Sequence, residues 1–265
     1  MSVKPKEKPS KRQLVKRTKR TDLDSALQEI YYGKVNLDST QTCECTCCVT
    51  AMPSLNLCEF TSIISHVWKT FGKEDKINLI CGSIEYFLKN ELEKFGIQTL
   101  IKPCMLFDRK TKLCRVYTRR PLSCRLFGLW PQEAYNARVA RFAKAYAPWG
   151  LSAGDLPLNS QCALVKRNDE SVTLTNDLIG DLYASLDKID KTVGNFSDLR
   201  ISQKENYRSF HDWLLLKVFG EDFLASMTSF VLAADREKIE DMIRALHVEV
   251  SKNFESISGK VNEDE

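Results

Sequence analysis

The sequence has little of what marks a secreted or membrane-spanning protein. Its first twenty residues contain no apolar run of the length that a secretory signal requires, about 7–15 residues. No later stretch approaches the roughly 20 apolar residues of a membrane-spanning helix. We therefore expect a cytoplasmic protein without a membrane span.

The sequence also lacks the short motifs of common catalytic and nucleotide-binding sites. It contains no G-x-G-x-x-G, no phosphate-binding P-loop and no G-x-S-x-G nucleophile motif. Its three histidines, His66, His211 and His247, are isolated on predicted helices, where a histidine is usually a polar-face or core residue. The catalytic residues, if there are any, stay unknown at this point.

Cysteine, in contrast, is abundant, with ten in 265 residues. In a reducing cytoplasm, grouped cysteines are more often metal ligands or reactive thiols than disulfides. Cys58 and Cys81 lie in apolar helical segments and are predicted to be core residues. The other cysteines form two groups in sequence, with one further cysteine at position 162. We predict that the two groups converge on a metal ion: Cys43, Cys45, Cys47 and Cys48 in the first, and Cys104, Cys114 and Cys124 in the second.

The spacing within the first group does not select one kind of site. Cys47 and Cys48 are adjacent, and neighbouring side chains point in different directions in an extended chain. The two thiols could therefore serve different metals, or one of them could be a core residue. The spacing allows either a zinc site or an iron-sulfur cluster, and the site could serve a structural, redox or metal-handling purpose.

Hydrophobic periodicity predicts a mainly α protein with a cysteine-rich metal-binding loop region and a small β-hairpin. We divide the chain into a disordered basic tail (1–20), a cysteine-cluster metal-binding domain with a helical-hairpin insert (21–165) and a C-terminal helical region (170–258). The insert helices are predicted to end at Gly72 and Gly96, and the β-hairpin to turn at Asp108 to Lys112.

Basic residues are concentrated in two places. Residues 1–20 contain nine Lys or Arg and one Glu, so this tail could contact anionic partners or could simply aid solubility. Eight basic residues and one acid lie between residues 98 and 125. This second group could neutralise thiolates, form a solvated face or bind nucleic acid. Its members are Lys102, Arg109, Lys110, Lys112, Arg115, Arg119, Arg120 and Arg125.

The second cysteine segment resembles the YkgJ-like cysteine-cluster family, a zinc- or iron-chelating domain with a CxxCxxCC motif. Members read C-P-x-L and then C-x-[IV]-Y-x-x-R-P-x-x-C-R. The first group is compressed relative to the family, and Pro103 precedes Cys104 where members have a proline after the cysteine. The residues that match are Cys104, Cys114, Val116, Tyr117, Arg120, Pro121, Cys124 and Arg125.

The resemblance spans about residues 42–162 and implies chelation of zinc or iron, including an iron-sulfur cluster. It also makes Cys162 the counterpart of a further family cysteine, and thus an eighth candidate ligand. Flagellin lysine N-methylases contain the same domain, so a metal-dependent enzyme that modifies a protein substrate is an alternative function. A nucleic-acid-binding adaptor that uses the two basic segments is a second alternative.

Overall fold

The computed structural model describes residues 11–33, 35–37, 48, 53–93, 104–127, 129, 131–147, 172–193 and 207–262. Within these residues the protein is mainly α-helical, as the sequence predicts. The α-helices are α1 (Lys11–Tyr32), α2 (Leu57–Thr70), α3 (Lys73–Glu93), α4 (Leu122–Arg125), α5 (Gln132–Tyr146), α6 (Asn176–Val193), α7 (Phe210–Phe219), α8 (Glu221–Ala233), α9 (Arg236–Lys252) and α10 (Phe254–Asn262). The strands are β1 (Ser54–Leu55), β2 (Phe107–Asp108), β3 (Leu113–Cys114) and β4 (Arg208–Ser209).

Helix α1 begins earlier than the sequence pattern predicts. We predicted a disordered tail over residues 1–20, whereas the helix starts at Lys11. Residues 11–20 are therefore helical, and residues 1–10 lie outside the described part of the chain. Lys, Arg, Gln and Leu have high helix propensity. Buried Leu23 and Leu27 anchor the helix further along, so the preceding residues can extend it.

The two predicted insert helices are present as α2 and α3. A capping box starts α2: the Asn56 side chain accepts a hydrogen bond from the Glu59 amide, and the Glu59 side chain accepts one from the Asn56 amide. The helix ends where Phe71 takes an extended conformation, one residue before the predicted Gly72. The predicted stop of α3 at Gly96 lies outside the described residues.

Helix α7 is central to the larger hydrophobic cluster, which also contains residues of α2, α3 and α8–α10. The Phe60 ring of α2 lies 5.6 Å from the Phe210 ring and 6.1 Å from the Trp213 ring. The Trp213 indole donates a 2.8 Å hydrogen bond to the carbonyl of Leu55 in β1. Strand β1 itself pairs antiparallel with β4, immediately before α7. This arrangement ties the start of α2 to the C-terminal helices.

A second hydrophobic cluster joins α1 to α6 and α4. It includes Leu27 from α1, Leu122 from α4, and Leu182 and Leu186 from α6. Both clusters therefore combine residues from before and after the predicted boundary at residues 165–170. The C-terminal helices complete the cores of the N-terminal half.

The C-terminal end is more ordered than predicted. The chain is divided at Asn253 into α9 and α10. We predicted a helical region that ends at residue 258, but α10 continues to Asn262 because Val261 is buried in the larger cluster.

No helix in the described ranges is long and apolar enough to cross a membrane.

Candidate metal centre

The two cysteine-bearing segments touch each other. The backbone amide of Cys104 donates a hydrogen bond to the carbonyl oxygen of Cys48, with an N–O distance of 2.5 Å. Cys104 is buried, and Cys48 is half-buried against the same hydrophobic cluster. The helices between them therefore fold back far enough to bring the segments together.

A short hairpin follows Cys104, as predicted. The amide of Phe107 donates to the carbonyl of Cys104, and Phe107 is the antiparallel partner of Cys114. At the turn, the Asp108 carboxylate accepts hydrogen bonds from the amide of Lys110 at 2.8 Å and that of the following threonine at 3.3 Å. Lys112 has a positive φ of 59°, which closes the turn. The hairpin thus brings Cys114 back beside the strand that follows Cys104.

Cys124 lies in the four-residue helix α4, whose other three residues are each held by hydrogen bonds or by burial. The Leu122 amide donates to the Glu59 carboxylate at 2.6 Å, and the Ser123 hydroxyl donates to the Ser54 carbonyl at 2.8 Å. The Leu122 side chain is fully buried in the second cluster. Arg125, the last residue of the helix, is also buried.

Arg125 makes the most extensive contacts of these residues. Its guanidinium lies 4.3 Å from the Tyr31 ring centre and donates to the Tyr32 hydroxyl at 3.0 Å. It also donates to the carbonyl of Thr118 at 2.8 Å and to that of Arg120 at 2.9 Å. These bonds fix the turn between the 3-10 helix Tyr117–Arg119 and α4.

Two other arginines of the segment are likewise engaged within the protein. Arg115 forms a bidentate ion pair with Asp75, at 3.0 and 2.6 Å, and stacks on the Phe71 ring. Arg119 forms an ion pair with Asp24 of α1. Of the three alternatives left open for the basic residues, a plain solvated face does not describe Arg115 and Arg119, because neighbouring helices supply carboxylates and a ring that the sequence pattern does not reveal.

A buried carboxylate, Glu59, holds α4 in place. Its Oε1 atom accepts hydrogen bonds from the Tyr31 hydroxyl at 2.8 Å and from the Leu122 amide, while Oε2 accepts from the Asn56 amide at 3.4 Å. Burial raises the pKa of this carboxyl from 4.5 to about 7. The three donors and the nearby Arg125 oppose this pKa shift without cancelling it.

Our sequence reasoning missed Glu59. The available signal was the capping-box spacing Asn56-x-x-Glu59 directly before an apolar run, which predicts a helix start and a carboxylate close to backbone amides. A small polar cavity next to Glu59, bordered also by Ser62 and Arg119, has room for about one water molecule.

Four of the predicted ligands lie in the described chain. Cys104 is buried, and the other three, Cys48, Cys114 and Cys124, are half-buried. The remaining four lie outside the described residues: Cys43, Cys45, Cys47 and Cys162. Among the residues that the structure describes, no three His, Cys, Asp or Glu side chains are grouped closely enough to hold a metal ion.

Two buried nitrogen atoms near this region have no hydrogen-bond acceptor within the described structure: Arg120 Nη2 and Asn56 Nδ2. Arg120 lies in sequence between Cys114 and Cys124, and Asn56 shares the Glu59 carboxylate with α4. A buried donor without an acceptor costs about 1–3 kcal/mol. An anionic group within hydrogen-bond distance would supply the acceptor that each atom lacks.

The two cysteines predicted to be core residues are buried, as expected. The Cys58 thiol donates to Asn56 Oδ1 at 3.1 Å, and burial raises its pKa well above the usual range. Burial raises the pKa of the Cys81 thiol to about 11. Both thiols therefore stay protonated at neutral pH and are poor ligands.

His211 is a core residue. It is fully buried, its Nδ1 atom lies 2.9 Å from the Ser83 hydroxyl, and its ring stacks on Tyr86 at 4.1 Å between centres. His247 contacts the backbone carbonyl of Cys81 at 3.2 Å. These contacts agree with the interpretation of the histidines as structural residues.

Comparisons with protein-family models, with curated proteins and with solved structures find no match to this chain. The resemblance to the cysteine-cluster family therefore stays a prediction.

Proposed function

We propose that this protein binds a metal ion, zinc or iron, through a cluster of cysteine thiolates. The observation that carries the proposal is the hydrogen bond between Cys104 and Cys48, which joins the two cysteine-bearing segments. Thiolate ligands must converge to about 2.3 Å from one ion. The hydrogen bond brings the backbone of Cys48 next to that of Cys104, and such convergence of the two groups is what a shared ion requires.

The proposed ligands are drawn from eight cysteines in these segments and beyond. Those in the described chain are Cys48, Cys104, Cys114 and Cys124, and the others are Cys43, Cys45, Cys47 and Cys162. Four thiolates around one divalent ion carry two net negative charges, which nearby cations and N–H donors stabilise. Arg120, which lies between Cys114 and Cys124 in sequence, has a buried N–H donor without an acceptor that such a thiolate could use.

The chain's own residues would prepare the site before metal binding. The hairpin returns Cys114 to the strand after Cys104, and the attachments of α4 hold the backbone on both sides of Cys124. When bound, zinc would contribute folding free energy, whereas an iron-sulfur cluster would add electron transfer. Either group would tie the cysteine segments to the helices around them.

Metal analysis of anaerobically purified protein is the first test. We expect stoichiometric zinc, or iron with acid-labile sulfide and a visible absorption band. Protein that is folded, reduced and free of both metals, and that takes up neither on reconstitution, would refute the proposal.

Matched cysteine variants test the ligand assignment. Cys114→Ser and Cys124→Ser should lose bound metal, because serine is a poor ligand for zinc and iron in such sites. Cys58→Ser is the control, since this thiol is buried and donates to Asn56. Equal metal content in all three variants would show that Cys114 and Cys124 are not ligands.

A further inference from the structure

Helix α4 is too short to hold itself in place. A helix of four residues gains almost nothing from its own hydrogen bonds, because nucleation costs more than a single turn returns. Its geometry is instead imposed from outside, by Glu59 on Leu122, by Ser54 on Ser123 and by several acceptors on Arg125. Cys124 lies between these attached residues, so the backbone that carries its thiol has little freedom.

Among these attachments, the hydrogen bond from the Leu122 amide to Glu59 is the shortest, at 2.6 Å. A buried amide that lost this oxygen acceptor would cost about 1–3 kcal/mol. The carboxylate is itself fixed from α1 by the Tyr31 hydroxyl and from the start of α2 by the Asn56 amide. The position of the Leu122 amide therefore follows from the packing of α1 against α2.

We propose that Glu59 is a positioning residue for the Cys124 thiolate in the metal site, an inference that rests on the proposed function. By accepting the amide of Leu122, the first residue of α4, the carboxylate fixes the position of the backbone that carries the Cys124 thiol two residues later. Groups that orient metal ligands in this way typically contribute 10–100-fold to metal affinity. Glu59 would thus link the packing of α1 and α2 to the metal site without touching the metal.

Two substitutions with side chains of similar length distinguish the effect of losing the oxygen acceptor from the effect of changing the side-chain volume. Glu59→Gln keeps an oxygen for Leu122 and Tyr31, whereas Glu59→Met removes it. In zinc competition titrations with a chelating dye, we expect Glu59→Met to weaken zinc affinity about 10–100-fold and Glu59→Gln to stay within about threefold of the wild type.

Asp190→Ala provides the matched control for general loss of stability. Asp190 also accepts a backbone amide at the start of α2, that of Cys58 at 2.7 Å, whereas the Leu122 amide of α4 donates to Glu59. We expect this variant to bind zinc within about threefold of the wild type. An equal loss of affinity in Glu59→Met and Asp190→Ala would overturn the proposal, because it would reduce Glu59 to a stabilising residue.

A second readout needs no metal. In metal-free protein, the alkylation rate of Cys124, measured by mass spectrometry, should change at least several-fold in Glu59→Met and little in Asp190→Ala. If Glu59→Met does not fold, Tyr31→Phe replaces it, and an unchanged zinc affinity and alkylation rate would then overturn the proposal. Wild-type protein that binds no metal refutes the proposed function, whereas wild-type binding with unchanged Glu59→Met affinity refutes only the positioning role.

Discussion

The buried Glu59 carboxylate should make the stability of this protein fall as pH rises towards neutrality. Its pKa is about 7 in the folded protein and 4.5 without burial, so the folded state binds the proton more tightly than the unfolded chain does. Protonation therefore favours folding. The stabilisation is complete below the unfolded value and is lost as pH rises through about 7.

The pKa difference between 4.5 and about 7 corresponds to about 3 kcal/mol, an order-of-magnitude value at about 1.4 kcal/mol per pKa unit. Glu59→Gln removes the titration and keeps an oxygen acceptor for Tyr31 and Leu122. The stability of the wild type relative to this variant should therefore fall by about 3 kcal/mol from pH 4 to pH 8. Most of the change should lie between about pH 5 and pH 7.

Urea denaturation of both proteins at a series of pH values measures this difference. A chelator is included throughout, because thiolate ligands would add their own pH dependence through metal binding. Other titrating groups that do not interact with Glu59 cancel in the comparison. A difference that stays constant from pH 4 to pH 8 would refute the reasoning, since it would mean that the three donors and Arg125 keep the carboxylate ionised.

Four further predictions concern the fold and the metal. In urea titrations, Gly220→Ala should lower the free energy of unfolding by about 1–3 kcal/mol, because φ of 86° with ψ of 174° is accessible essentially only to glycine. Gly180 lies inside α6 with open space around it, so Gly180→Ala should raise the free energy of unfolding by about 0.5–1 kcal/mol in the same titrations. Trp213→Phe should destabilise by about 1–3 kcal/mol in denaturant unfolding, because it leaves the buried Leu55 carbonyl without its indole donor. When the free metal concentration is a thousand times the Kd, removing the metal should lower the free energy of unfolding by about 4 kcal/mol. Calorimetry should then show a Tm that is lower by about 8–16 °C, and an unchanged Tm would contradict a stabilising site.

Local patterns were sufficient for the helices and turns of this protein. The two insert helices, α2 and α3, and the polar turn after Phe107 were predicted correctly. These features depend on contacts between residues that are close in sequence, and periodicity reports such contacts directly. Helix ends were less certain, as the early start of α1 and the division at Asn253 show, because packing elsewhere decides how far a helix extends.

The sequence by itself determined a mainly α protein with two groups of cysteines, and it identified Cys58 and Cys81 as core thiols. Only the tertiary structure decided what surrounds those groups: which carboxylates meet Arg115 and Arg119, and that α6 and α7 complete the N-terminal cores. The tertiary structure also decided the burial of Glu59, because α1, α2 and α4 pack around this carboxyl and their packing raises its pKa. Such contacts join residues far apart in sequence, and their energies come from the exclusion of water, which no local pattern contains.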